Sequence, residues 1–103
     1  MPLLNYVTQL VRTSMAAAPA TVYTVPATKT VVLTSIVVVN TNAASRTYTI
    51  LLDGVEYAKD VNIPGKTTHQ YDNVRQVLTA TKIIQASASA ATDVKLHISG
   101  VTS

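Results

Sequence analysis

The sequence predicts an all-β chain, a single small antiparallel β-sandwich of jelly-roll or immunoglobulin-like type with seven to eight strands and an N-terminal arm. Three observations predict it. Thr and Val supply 16 and 15 of 103 residues, a bias toward side chains that are stiff at χ1 and pack well on pleated surfaces. Turn-forming clusters recur every eight to twelve residues, the spacing of sandwich and barrel strands. Two segments alternate with period two. Val55, Tyr57, Lys59, Val61 and Ile63 oppose Glu56, Ala58, Asp60 and Asn62, and Val94, Leu96 and Ile98 oppose Asp93, Lys95, His97 and Ser99, so each segment has one wet face.

Taken in order, residues 1–20 read as an arm and connector and residues 21–103 as the sandwich domain. Leu3, Val7, Leu10 and Val11 fit a helical stripe, whereas Leu4, Tyr6 and Leu10 fit strand alternation, and periodicity does not choose between them. Such an arm serves exchange between subunits or attachment to a partner. A simple first strand is the competing reading. The stretch Ala16–Ala20 reads as a connector. Strands are then expected at Thr21–Val25, Thr30–Val39, Arg46–Leu52, Val55–Asn62, Lys66–Tyr71, Val74–Thr79, Ile83–Ser87 and Val94–Val101. Asp53-Gly54 joins two of them as a type I′ hairpin, because both residues tolerate positive φ. Asp72-Asn73 is expected to be a turn between two others.

The run Thr30–Val39 is apolar on both faces, with Val32, Ile36 and Val38 on one and Val31, Leu33, Val37 and Val39 on the other. Either the chain covers its outer face or a neighbouring subunit does. The expected interface residues are accordingly Leu3, Leu4, Tyr6, Val7 and Leu10 of the arm, and Val31, Leu33, Val37 and Val39 of this strand.

Composition excludes several classes of function. There is no Cys, hence no disulfide framework, thiolate metal site or cysteine nucleophile. The net charge of +3 comes from eight basic residues spread from Arg12 to Lys95 without a run. Duplex binding needs several phosphates neutralised by one patch, so no nucleic-acid partner is expected, although folding can gather scattered charges on one face. No apolar stretch approaches the ~20 residues of a membrane-spanning helix. Met15–Ala20 imitates a signal cleavage region, but no basic segment precedes it, and Asn5, Thr8, Gln9 and Arg12 break the apolar run.

The chemistry-bearing residues make no constellation. His69 and His97 form no ligand spacing, and three glycines without a Gly-x-Ser-x-Gly or dinucleotide pattern supply neither elbow nor phosphate loop. Asp53 and Glu56 are a turn residue and a polar-face residue rather than a hydrolytic pair. There is no Trp, and the five tyrosines fall mostly at apolar strand positions, which suits packing and interfaces more than a sugar platform. No enzyme activity, metal or cofactor is expected.

Thr21–Gly54 (TVYTVPATKTVVLTSIVVVNTNAASRTYTILLDG), Asn62–Thr67 (NIPGKT) and Lys82–Gly100 (KIIQASASAATDVKLHISG) resemble a family of small β-sandwich proteins among the virion components of tailed bacteriophages. The chain departs from that pattern at Thr28, where a Gly is expected, in a shorter turn at Pro64-Gly65, and in residues 1–20. The resemblance implies a non-enzymatic virion structural protein, foremost a capsid cement or decoration protein made in the host cytoplasm and carried on the capsid surface. It implies a homo-oligomer, a trimer foremost, with the major capsid protein or another virion protein as partner. A tail, neck or head-completion component and a host-glycan binding module are the alternatives.

Overall fold

The computed structural model describes residues 6–102. They form eight strands: β1 Tyr6–Ser14, β2 Ala20–Thr24, β3 Val31–Asn40, β4 Arg46–Leu52, β5 Val55–Ile63, β6 Thr68–Leu78, β7 Ile83–Ala88 and β8 Val94–Thr102. No helix occurs among the described residues. Sheet A has the order β1-β8-β3-β6 and sheet B the order β2-β7-β4-β5, with all neighbours antiparallel. The sandwich is a jelly roll. Its pairings are nested: β4 with β5, β3 with β6, β2 with β7, β1 with β8. The chain is in effect one long hairpin, rolled until β3 also meets β8 and β4 meets β7. At its tip Asp53 and Gly54 have φ of 55° and 76°, as a type I′ turn requires.

The strand limits follow the sequence reading closely except in β6. Asp72-Asn73 is not a turn between two strands, because β3 continues to pair on both sides of it. Asn73 and Arg75 take positive φ, 56° and 52°, and the extra residues bulge out of one continuous strand.

Of the two readings of residues 1–20, the described part takes that of a first strand. Leu3 and Leu4 lie outside the described residues, but from Tyr6 onward the segment is an edge strand paired along β8, Tyr6 opposite Thr102 through Ser14 opposite Lys95. Val11 and Met15 are 4% and 1% exposed. Met15 and Ala16 tie the connector to both sheets: the Met15 amide donates to the Val94 carbonyl at 2.8 Å, and the Ala88 amide to the Ala16 carbonyl at 2.8 Å. The described part of the segment is therefore integral to the sandwich, and the boundary expected at residue 20 is not a structural one. The Ala/Pro stretch is the connector expected of it, between β1 and β2, and the burial of Val11 and Met15 before it anchors it to the core.

The core lies between the two central strand pairs. Val31, Leu33, Ile36, Val38, Leu96 and Ile98 of sheet A meet Tyr48, Ile50, Ile84 and Ala86 of sheet B, each at most 1% exposed. Burial of each large aliphatic side chain contributes about 1.5–3 kcal/mol. Asn40 closes one end as a buried polar residue. Its amide nitrogen donates to the carbonyls of Ala44, Ile63 and Pro64, and its Oδ1 accepts from the Asn42 amide, so hydrogen bonds offset the desolvation of this group as it pins two loops. Gly65 lies beside it because a Cβ there would overlap the Ala43 carbonyl.

Deleting Met1–Pro19 is expected to abolish the cooperative thermal transition in circular dichroism, since it strips β8 of one of its two partners and removes Val11 and Met15. Met15→Ala alone is expected to cost about 2–5 kcal/mol. A truncated chain that melts like the full one would contradict this integral placement.

Candidate functional site

The outer face of sheet A is decided by a slip in the alternation of β3. Leu33 pairs with Gly100 and Ser35 with Ser99, so Thr34 is an extra residue that reverses the alternation. Before it Val31 and Leu33 point inward; after it Ile36, Val38 and Asn40 do. Val31 and Leu33, expected on the outer face, are thus fully buried core residues and not interface residues. Val37 and Val39 do lie on the outer face, half-buried. Leu10, at the register shift of β1, packs half-buried against the core.

Residues directly opposite one another in antiparallel strands share a face, so the register orders this surface into rows. One row is apolar across the sheet: Val101 pairs with Val32, and Val32 with Val77. Val7 stands in register with Val101 on β1, and Tyr6 with Thr102. Val77 is 59% exposed. A polar row of Ser99, Ser35 and Asp72 follows, then His97, Val37 and Gln70, then Lys95, Val39 and Thr68. Arg12 stands opposite His97 and Ser14 opposite Lys95. Val32, Val77 and Val101 were not among the expected interface residues. The exposed Val77 shows itself only once β6 is known to continue through Asn73.

All four edge strands carry register irregularities: β1 near Leu10, β2 near Val22, β5 opposite Thr49, and β6 opposite Thr34. Bulged edges resist continuation of the sheet by another chain. That leaves the faces and loops as the surfaces open to another molecule.

Inside the sandwich His69 and Tyr71 of β6 reach across to Tyr48 of β4. The Tyr48 hydroxyl lies 3.0 Å from His69 Nδ1 and 2.5 Å from the Tyr71 hydroxyl. Tyr71 also meets the ring of Tyr57 edge-on, with centroids 5.7 Å apart. The Tyr48 phenol is pushed well above its ordinary value, first by burial and then by the hydrogen bond and charge of Tyr71. A phenol held neutral beside a second phenol is a poor nucleophile or base, and the trio ties one sheet to the other.

His97 faces outward and His69 inward, so the two histidines remain apart. Asp53 is 3.8 Å from Lys82 and Asp93 3.1 Å from Arg46. Among the described residues no three His, Asp or Glu side chains gather within reach of one metal ion. On the outer face of sheet B, Thr47, Thr49, Asp60, Ser87 and Ser89 line a cleft of about 140 Å³. No protein-family model, curated protein or solved structure matches the chain. What the fold defines is a class by architecture, the eight-stranded jelly roll.

A raised Tyr48 value has a pH consequence with a definite sign. The unfolded chain ionises this phenol near its ordinary value of 10.0 and the folded chain resists. Its stabilisation is complete below that pH and is lost as pH rises above it. Tyr48→Phe is expected to lower stability by about 1 kcal/mol at neutral pH and to lessen the fall in melting temperature between about pH 9 and about pH 11. An undiminished fall in the variant would contradict this origin.

Proposed function

We propose that the chain is a non-enzymatic structural protein of a bacteriophage virion, a cement or decoration protein that binds by the outer face of sheet A. The observation that carries the reading is the apolar row of Val101, Val32 and Val77 on a sheet whose edges are bulged. A surface valine by itself needs no explanation, but a row across three strands is a contiguous patch of the kind that marks interaction surfaces. The resemblance of Thr21–Gly54, Asn62–Thr67 and Lys82–Gly100 to small sandwich proteins of phage virions points to the same role. The nested jelly roll supplies a stiff body, and the face supplies the contact.

On this reading the protein works mechanically. Copies associate through the face, as a trimer foremost, and lie on the major capsid protein. Surface buried in those contacts opposes opening of the shell. A tail, neck or head-completion position uses the same face with a different partner. The hydroxyl-lined cleft of sheet B favours a second reading, a host-glycan module, which titration with monosaccharides tests separately.

Sedimentation of the purified chain at about 10 μM, where micromolar self-association registers, is expected to show a mass above the monomer. Val32→Asp and Val77→Asp are expected to shift it to monomer without altering the β-sheet spectrum. Antibody labelling of particles by electron microscopy is expected to decorate the capsid surface. A monomer absent from particles would overturn the proposal, and labelling confined to tail or neck would move it there.

A further inference from the structure

We propose that the cleft between β1 and β8 on the outer face of sheet A seats a carboxylate-bearing segment of a protein partner. The cleft measures about 210 Å³ and is lined by Arg12, Thr13, Ser14, Lys95 and His97. Residues 12 and 97 stand directly opposite one another, as do 14 and 95, so the register alone brings three basic side chains onto one face. Arg12 and Lys95 stand diagonally on neighbouring strands, two like charges on one face that an anion would bridge.

Among the described residues no acid matches the charge of this cleft. Of the five acids, Asp53, Asp60 and Asp93 pair with Lys82, Lys59 and Arg46. Glu56 belongs to the other sheet, and Asp72 lies on β6, at the opposite edge of sheet A from β1. Neither Arg12 nor Lys95 has an ion-pair partner among the described residues.

Lys95 is moreover held in place. Its ammonium donates to Ser14 Oγ at 2.8 Å and to the Thr92 carbonyl at 2.7 Å. Both acceptors are neutral, so the position is fixed and the charge left over. Arg12 is exposed and brings a planar fork suited to two-point contact with a carboxylate. Beside the basic groups Val37 and Val39, paired with His97 and Lys95, offer an apolar shelf. Basic groups next to a shelf of valines suit an extended segment bearing Asp or Glu among apolar residues. The two fixed charges of Arg12 and Lys95 neutralise too few phosphates to hold a duplex at ordinary salt.

The identity of the partner as a shell protein rests on the preceding proposal; the chemistry of the seat does not. The full chain, titrated with a hexaglutamate peptide at low salt and followed by amide chemical shifts, is expected to show saturable changes confined to residues 12–14 and 95–97. Arg12→Gln is expected to weaken the peptide by about tenfold, and Lys95→Met likewise, while Lys82→Gln, on a different face, leaves it unchanged. Among the described residues the Arg12 side chain makes no hydrogen bond, so its variant reports on binding even if Lys95→Met loosens β1. Inorganic phosphate and a single-stranded oligonucleotide are run in parallel. Saturation by phosphate as tight as by peptide, tighter binding of the oligonucleotide, or peptide shifts indifferent to Arg12→Gln would each overturn the seat. Particle binding unchanged by Arg12→Gln would overturn its use on the shell and leave the structural-protein reading standing. Peptide binding by a chain absent from particles would support the seat and retire the shell as its partner.

Discussion

One extra residue in β3, Thr34, determines what this molecule shows to its surroundings. Strand alternation is strictly two-fold, so an inserted residue exchanges the faces of everything beyond it. The run from Val31 to Val39 is apolar throughout, and either phase would bury valines and expose valines. With the slip, Val31 and Leu33 join Ile36 and Val38 in the core, while Val32, Val37 and Val39 fall on the outside. Gly100 makes the slip possible opposite Leu33: a Cβ at that point would lie 2.5 Å from the Val32 carbonyl oxygen. The bulge of β6 at Asn73 and Arg75 answers it on the other side.

The nested pairing gives the fold its economy and its exposure to failure. Only β4 and β5 are joined by a tight turn, and every later pair closes a longer loop, ending with β1 on β8. Loop closure of that span is slow to form, and the outermost pair depends on all the others. It fits this dependence that Met15, just after the first strand, lies deep in the core and that the connector bonds to both sheets. It also explains the division of labour between edge and face. Bulges make the edges poor templates for another chain, leaving the outer face of sheet A, apolar at one end and basic at the other, as the broad patterned surface.

Much of the fold was legible in the sequence because it is written locally. Period-two alternation marks β5 and β8, and Asp53-Gly54 marks the hairpin about which the strands nest. The jelly roll was not distinguishable from an immunoglobulin-like sandwich, since topology depends on which distant strands pair. The role of the first twenty residues was open for the same reason: Val11 and Met15 read as core only once β8 lies beside them. Of the site, Val37 and Val39 were legible as outer-face residues. The exchange of Val31 and Leu33 for Val32 was not, because a bulge has no compositional mark. The basic cleft was invisible for a simpler reason. Its parts lie near opposite ends of the chain, Ser14 81 positions before Lys95, and only strand register joins them.

On the proposal above, the outer face of sheet A is the surface by which this protein meets its own copies. Valine methyl spectra recorded as a function of protein concentration test it most directly, because the core valines serve as internal references. The account predicts concentration-dependent shifts for Val32, Val77 and Val101, with Val31 and Val38 unmoved. Shifts centred instead on Val55 and the outer face of sheet B, or no dependence on concentration in any valine, would contradict it.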